Sequence, residues 1–239
     1  MIGLGTILNA GGILVGGTLG VLLKNALPQR ISDTLIKAMG VCVLFIGLSG
    51  ALEKMLTIAD GALSTGGTML TILSFIGGSV LGGALDLEGK LERFGVWLRK
   101  RAGAEGDSGF LGAFLTASLT VCIGAMAVVG AINDGLFGDI SLLVTKSILD
   151  AIIVMVMAAT MGKGCIFSAI PVAIFQGLVT IFARFLQPIM TAQATNALAL
   201  TGSILVFCVG VNLVWEKQHL RVANMLPTLI FAVALSFVL

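Results

Sequence analysis

The chain has 239 residues and a net charge of +2, and 57% of its residues are hydrophobic while 11% are charged. Its mean hydropathy is +1.10. Soluble domains carry about 25% charged residues, so the composition excludes a soluble globular protein and indicates an integral membrane protein. The small net charge does not indicate a nucleic-acid partner. We therefore expect the function to lie within the bilayer, with lipid as the first partner.

Eight apolar segments follow one another, each roughly as long as one helical crossing of a bilayer, about 17 to 25 residues. These are Ile2 to Leu23, Ile36 to Leu52, Met69 to Leu85, Phe110 to Ile132, Ile140 to Thr160, Cys165 to Phe185, Asn196 to Trp215 and Ala223 to Leu239. They predict an all-α fold, a polytopic transmembrane helix bundle of about eight spans.

Basic residues in the connections indicate the orientation of these spans. Connections one, three, five and seven hold eleven Lys and Arg, and the other connections hold only Lys54 and Arg184. By the positive-inside rule both termini face outward, which agrees with an even number of spans. Two of the basic connections, Lys90 to Arg101 and Pro28 to Lys37, are amphipathic, which is typical of helices lying in the membrane interface.

Glycine pairs repeat in the first half of the chain. Gly11-Gly12 and Gly16-Gly17 recur as Gly77-Gly78 and Gly82-Gly83. Each set contains a GxxxG spacing, which allows close helix packing in membranes and is also compatible with a homo-oligomer contact.

The second half repeats with an offset of 56 residues. This offset aligns the Thr, Ser, Ile and Leu of 145–149 with those of 201–205, and Pro171 with Pro227. We predict four helical hairpins in two parallel repeat pairs, residues 1–133 with spans one to four and residues 134–239 with spans five to eight.

Two charges lie inside the fifth segment. A helix beginning near Asp139 rises ~1.5 Å per residue, so Asp150 is about 16 Å deep in a hydrocarbon core of ~30 Å. Lys146 is one turn shallower. A charge at this depth costs at least roughly 2.5 to 3.5 kcal/mol on insertion scales and normally faces protein or a water-filled cavity. The alternative is a structural pair, in which the two charges neutralise each other and fix the packing.

The internal repeat separates architectural residues from candidate functional residues. At the offset of 56, Lys146, Asp150 and Gln176 correspond to uncharged residues, which are Gly202, Val206 and Ala232. What one copy lacks is not needed to build the hairpin, so we assign these three side chains to substrate binding. Ser147 shares a helix face with Asp150 and joins the candidates, although the second copy also has a serine.

The outer connection before the fifth segment carries two carboxylates and no basic residue. Asn133, Asp134 and Asp139 are candidates for a mouth that attracts cations. Asp134-Gly135 is typical of a turn, and Asp139 is placed to cap the fifth helix. The four cysteines lack CxxC spacing and are interpreted as reduced apolar residues, so no metal or cofactor is predicted.

The motifs GAxxDGLxGDxxxLxxKSxLD at 130–150 and SAxPVxxxQG at 168–177 resemble the YqgA/YdfK family of uncharacterised bacterial inner-membrane proteins. The start NAGGILVGGTLG and the sequence RVANMLP near the end agree with this resemblance. It implies a bacterial inner membrane, and it carries no established activity.

The leading hypothesis is a transporter or channel for a small ion or polar solute, with Lys146 and Asp150 lining the pathway. The alternative is a structural or regulatory membrane protein that acts through glycine-rich helix interfaces. An enzyme is not predicted, because the only histidine, His219, lies in a connection far from Asp150 and no HExxH or GxSxG motif is present. Ser147 and Lys146 are neighbours that do not face each other on a helix.

Overall fold

A computed structural model describes residues 1–24, 28–59, 62–122, 125–215 and 220–238. In these ranges the chain is almost entirely helical. The helices are α1 (Leu4–Lys24), α2 (Gln29–Met55), α3 (Thr68–Leu85), α4 (Leu87–Arg101), α5 (Phe110–Cys122), α6 (Ala125–Phe137), α7 (Ser141–Met161), α8 (Ala169–Ile181), α9 (Ala183–Leu186), α10 (Ala192–Val214), α11 (Val222–Met225) and α12 (Thr228–Leu235). A 3-10 segment, Lys163–Ser168, precedes α8.

A short antiparallel β hairpin, β1 (Leu56–Ala59) and β2 (Ala62–Thr65), joins α2 to α3. The sequence prediction of a purely helical fold was wrong on this point. Across the pair Leu56 lies opposite Thr65, Thr57 opposite Ser64 and Ile58 opposite Leu63. The β-branched residues Thr57, Ile58 and Thr65 favour strands. The general class, an all-α polytopic membrane bundle, is confirmed outside this hairpin.

Within the described ranges, six helical segments are long and apolar enough to cross a bilayer, and α5 with α6 makes a seventh if the two count as one span. The α5 and α6 axes differ by 61°, so the predicted fourth span is interrupted. The last predicted span is represented by α11 and α12, whose combined range Val222–Leu235 is shorter than a usual crossing of about 17 residues.

The helices form two compact units. The first contains α1, α4, α5, α6 from Met126, α7, α8 and α9. The second contains α2 from Gly40, the β hairpin, α3, α10, α11 and α12. Each unit takes helices from both sides of the predicted boundary at residues 133/134, so the compact units are not the two halves of the chain.

In the first unit, α1 packs along α7 with both helices running in the same direction. The contacts are so close that a side chain on the glycine stripe of α1 would overlap α7. Gly12 faces Ser147, Gly16 faces the carbonyl group of Ala151, and Gly20 faces Met155 and Ala158. Dispersion contacts between closely approaching backbones replace the hydrophobic driving force that lipid removes.

The 3-10 segment and α8 return beside α5 and α6. Gly162, with φ of 101°, allows the turn after α7. Gly164 lies against the Phe110 carbonyl at the start of α5, and Gly135 of α6 lies against Thr180 near the end of α8. These two contacts show that α8 runs parallel to α5 and α6.

An apolar cluster fills the centre of the first unit between α1, α5, α7 and α8. Its buried members are Ile13, Ala113, Ala117, Val121, Val154, Met157, Ala158, Cys165, Ala169 and Val172. α5, α7 and α8 each contribute residues three or four apart, the spacing of one helix face, and α1 contributes Ile13. The polar residues of this unit lie on one side or the other of this cluster along the helix axes.

The second unit uses the same kind of contact with opposite helix directions. Gly47 of α2 lies against Phe207 of α10, and Gly40 lies against Val214, so α2 and α10 are antiparallel. Gly82 and Gly78 of α3 approach the backbone of α11 and α12 at Asn224 and Thr228, and these elements are also antiparallel.

The basic amphipathic helix predicted at Lys90 to Arg101 is present as α4. Its apolar face packs on α5, where the Phe94 ring is 6.0 Å from that of Phe114. Arg101 lies over the half-exposed ring of Trp97, with its guanidinium carbon 5.8 Å from the ring centre. The similar linker predicted at Pro28 to Lys37 is not a separate interfacial helix, because α2 runs without a break from Gln29.

Candidate functional site

Lys146 and Asp150 form a buried ion pair on α7. The Lys146 Nζ atom is 2.9 Å from Asp150 Oδ1 and 2.8 Å from Oδ2. The two residues are only 7% and 3% exposed. Positions four apart share a helix face, so the regular geometry of α7 brings both charges together without any loop.

A third oxygen completes the environment of the ammonium group. Lys146 donates a hydrogen bond of 2.9 Å to the Val121 carbonyl. Val121 is the penultimate residue of α5, and the last carbonyl groups of a helix have no partner within it. The end of α5 also carries the negative end of its helix dipole. The carbonyl group of Val121, near the end of α5, therefore acts as the third acceptor of the lysine.

Two buried amides, Asn9 and Gln176, lie on the same side of the apolar cluster as this pair. Asn9 precedes Ile13 by one turn on α1, Asp150 precedes Val154 by one turn on α7, and Gln176 follows Val172 by one turn on α8. Ile13, Val154 and Val172 belong to the same apolar cluster. Since α8 runs opposite to α1 and α7, all three polar residues lie on the same side of that cluster.

Neither amide has a complete set of partners. Asn9 is 0% and Gln176 is 1% exposed. The Asn9 amide interacts with the Asp150 carboxylate, but the geometry of this contact falls short of a hydrogen bond. Within the described ranges, the side-chain nitrogen and oxygen atoms of Asn9 and of Gln176 all lack a hydrogen-bond partner. An unpartnered buried polar group costs about 1–3 kcal/mol, so such groups mark places for bound water or ligand.

Further unpartnered hydroxyl groups lie in the same unit. Thr6 on α1, Ser118 on α5 and Thr180 on α8 are buried, and no hydrogen-bond partner for their hydroxyl oxygens occurs in the described part of the chain. Ser118 lies one turn before Val121 on α5. The polar environment therefore extends along the helices in both directions from the ion pair.

Ser147 is occupied by packing. Its hydroxyl group donates a 2.8 Å hydrogen bond to the Leu8 carbonyl of α1, and it lies directly against Gly12. The prediction grouped Ser147 with Asp150 on one face. In the structure the hydroxyl group points towards the α1 backbone, which agrees with the presence of serine in both copies of the repeat.

Asp134 does not line an open mouth. It lies within α6 rather than in a turn, so the turn prediction at Asp134-Gly135 was wrong. The carboxylate is fully buried and accepts hydrogen bonds from the backbone N–H of Gly3 at 3.0 Å and of Gly5 at 2.9 Å. It thereby satisfies N–H groups at the start of α1, where a negative charge is favourable. Asn133 is half-buried on α6.

Asp139 is exposed in the connection between α6 and α7. Its Oδ1 atom accepts hydrogen bonds from the N–H of Ser141 at 3.0 Å and from the Ser141 hydroxyl at 2.7 Å. These bonds, first that from the hydroxyl group and then that from the backbone, lower the pKa of Asp139. The carboxylate therefore stabilises the first turn of α7, and the two predicted mouth residues act on two different helix starts.

Comparison with known proteins places the chain in a family. Residues 4–237 match the family described as "Protein of unknown function (DUF554)". The chain belongs to the DUF554 family. It is similar to the "Uncharacterized membrane protein YdfK" of Bacillus subtilis (strain 168), with 28% identity over 98% of this chain and 96% of the relative. It has the same identity and coverage with the "Uncharacterized protein YqgA" of Escherichia coli (strain K12).

The resemblance seen in the motifs is thus confirmed over nearly the whole chain. No solved structure matches this DUF554 chain. Among its described residues no three His, Cys, Asp or Glu side chains gather where they could hold a metal ion.

A cavity of about 500 Å³ opens at the other end of the first unit of this DUF554 chain. Its lining includes Thr18, Val21, Phe110, Asp107 and Lys163. Along α1 the order is Asn9 at the polar layer, Ile13 in the apolar cluster and Thr18 at the cavity. One apolar layer therefore separates the cavity from the ion pair.

Sequence reasoning missed two parts of the site in this DUF554 member. Asn9 was not among the sequence-predicted site residues, although it precedes Gly12 by three residues on the glycine face that meets α7. That spacing was the available signal. The Val121 carbonyl had no signal in residue type, because a backbone acceptor becomes available only where a helix ends.

Proposed function

We propose that the protein is a transporter or channel for a small ion or polar solute, with the pathway through the first unit and past Lys146 and Asp150. One observation carries this proposal: the buried ion pair, the Val121 carbonyl that binds it and two amides without a hydrogen-bond partner in the described ranges lie on the same side of the apolar cluster. A purely structural pair would be most stable with every neighbouring polar group satisfied. The two amides, which lack such partners in the described ranges, instead suit contacts with a polar species that passes the ion pair.

The order of layers supports a pathway that is closed in this state. The 500 Å³ cavity reaches inward from the end that carries Lys163, the apolar cluster blocks it, and the polar layer follows. The basic end is cytoplasmic by the positive-inside rule, so the cavity would open to the cytoplasm of a bacterial inner membrane. Opening then requires side chains of the apolar cluster, such as Ile13 and Val154, to separate.

The finer topology belongs to this proposal. Eight spans that alternate in direction, with both termini outside, make spans one and five parallel, four and six parallel, two and seven antiparallel, and three and eight antiparallel. The observed directions of α1 with α7, α5–α6 with α8, α2 with α10 and α3 with α11–α12 agree with all four relations.

The repeat also agrees with the packing. Ser147 and Ala151 meet the glycines of α1, and their counterparts at the offset of 56, Ser203 and Phe207, meet Gly50 and Gly47 of α2. The second unit has no charges at the positions of Lys146 and Asp150. In the proposal it is a related scaffold, and the first unit carries the substrate.

The test is flux in liposomes that contain the purified protein. Asp150→Asn and Lys146→Met are compared with wild type for protons, Na⁺, K⁺, Cl⁻ and a panel of amino acids. Lys54→Met is the matched control, since it removes the lysine of the exposed pair with Glu53. We expect flux that both substitutions in the pair abolish and that Lys54→Met leaves unchanged. Wild-type flux that Asp150→Asn leaves intact would contradict the proposed pathway.

A second candidate is a structural or regulatory protein that acts through glycine-rich helix faces, including a homo-oligomer contact. Gly11 and Gly83 favour it, because a Cβ atom added at either residue would meet no atom of the described chain within 4 Å. Loss of the cellular phenotype after Gly11→Leu and Gly83→Leu, with full activity of Asp150→Asn, would support this candidate and contradict transport. Neither candidate is an enzyme. The Ser147 hydroxyl donates to the Leu8 backbone carbonyl, which supports a packing role for this serine.

A further inference from the structure

The atoms around the Lys146 ammonium group form a set of cation ligands. Its three hydrogen-bond acceptors are Asp150 Oδ1, Asp150 Oδ2 and the Val121 carbonyl oxygen, all at 2.8 to 2.9 Å. Carboxylate and backbone carbonyl oxygens are the ligands that hard cations take in proteins. In transporters, such carbonyl groups come from interrupted helices at mid-membrane depth, and α5 ends at this level.

Additional oxygens are available at the same level. Asn9 and Gln176 are completely or almost completely buried, and the amide oxygen of each has no hydrogen-bond partner in the described ranges. An amide oxygen is a further ligand for a hard cation. With Asp150 and Val121, these side chains place oxygens from α1, α5, α7 and α8 on the same side of the apolar cluster.

The charge of the site selects a monovalent cation. Asp150 is the carboxylate of this layer, and the ammonium group neutralises it with a single positive charge. A monovalent ion in the same position gives the same neutral site, whereas a divalent ion would leave an uncompensated positive charge in a region where charge is costly.

We propose that the Lys146 ammonium group occupies a monovalent-cation site, and that a free alkali cation replaces it during the transport cycle. The inference rests on the proposed function and names its ion. Lysine acts as an internal competitor: when it is bound, the site is closed to the ion, and when it withdraws, Asp150, Val121, Asn9 and Gln176 bind the ion.

The withdrawn lysine has a partner available. Asp134 lies against Gly5 beside Leu143, one turn outward from Lys146 on α7. A lysine side chain is long and flexible enough to move its charge towards the membrane surface while its stem stays in apolar surroundings. The ammonium group therefore moves outward, towards Asp134, as the cation takes its place.

The experiment measures binding of ²²Na⁺ and ⁸⁶Rb⁺, the latter a probe for K⁺, to the purified full-length protein in detergent at constant ionic strength with choline chloride. Lys146→Met is compared with wild type, with the double variant Lys146→Met/Asp150→Asn, and with the control Lys54→Met. If the ammonium group occupies the site more than nine-tenths of the time, its removal lowers the apparent Kd at least about tenfold.

The double variant should lose this binding, and Lys54→Met should bind as wild type does. Equal affinity of wild type and Lys146→Met would overturn the inference. So would cation binding that survives in the double variant, because the carboxylate is then not a ligand.

A second variant keeps the test decisive if Lys146→Met does not fold. Gln176→Leu leaves the ion pair intact and removes one amide oxygen, so we expect weaker cation binding and slower cation flux with a normal melting temperature. Unchanged binding and flux in Gln176→Leu would contradict the proposed ligand set. Wild-type flux of an anion or neutral solute without any Na⁺ or Rb⁺ binding would overturn this inference and leave the proposed transport function standing.

Discussion

Substitution of Asp150 offers the sharpest test of how the ion pair acts on the fold. Asp150→Leu removes two of the three oxygens that bind the Lys146 ammonium group and leaves the Val121 carbonyl. Removing one partner of a buried pair costs about 3–5 kcal/mol. We expect about 3 kcal/mol, since the lysine can relieve part of the cost by moving outward.

The double variant Lys146→Met/Asp150→Leu removes both charges and keeps similar side-chain volumes. Buried pairs replaced by apolar residues are often neutral or stabilising, so we expect its free energy of unfolding within about 1 kcal/mol of wild type. The assay is reversible unfolding in mixed micelles, followed by far-UV circular dichroism. The exposed pair of Lys54 with Glu53 is the control, where the same double substitution should change stability by less than about 1 kcal/mol.

Two results would refute this reasoning. Asp150→Leu could leave stability unchanged, which would mean that water already solvates the lysine in the folded state. Alternatively, the double variant could be as unstable as the single one, which would mean that the pair itself holds the helices together. A double variant that folds normally but has lost flux would show that the ion pair is needed for transport and not for folding.

Three further predictions concern the contacts around this site. Gly16→Leu should destabilise the protein by at least about 3 kcal/mol, because overpacking costs about 1–3 kcal/mol even for smaller insertions. Gly11→Leu lies on the open side of α1 and should change stability by less than about 0.5 kcal/mol. Unfolding in mixed micelles measures the stability of both variants. Asp134→Asn should cost about 1–3 kcal/mol, since it weakens two charge-assisted hydrogen bonds at the start of α1, and equal melting temperatures would contradict this. The pKa of Asp139 is lowered in the folded protein, so its hydrogen bonds to Ser141 stabilise the fold at a pH above the usual carboxyl pKa. This stabilisation is lost as the pH falls through the pKa of the folded state. The difference in stability between wild type and Asp139→Asn should therefore shrink with acidification.

The class of fold was accessible from the sequence because lipid imposes a simple constraint. Every backbone polar group must be satisfied inside the membrane, so long apolar segments can only be helices. Six of the predicted segments correspond to long apolar helices. The 61° bend between α5 and α6 was not visible, since the composition remains apolar on both sides.

The candidate site could be located only in part. Lys146 and Asp150 were conspicuous because charge is rare in apolar segments. Asp134 and Asp139 are close in sequence and look equivalent there, yet one is buried against α1 and the other is exposed. Which carboxylate meets a distant helix start depends on tertiary packing, and periodicity along one helix carries no such information.

The contact of α1 with α7 has a consequence for how the protein is made. Ser147 binds the Leu8 carbonyl across 139 residues of sequence. At a synthesis rate of about 5–20 residues per second, α1 emerges roughly 7 to 28 s before its partner. During that time its glycine face meets lipid or the insertion machinery. When α7 is inserted, Asp150 already neutralises Lys146 four residues before it on the same helix. The helix that completes the first unit therefore carries both charges of the pair into the membrane.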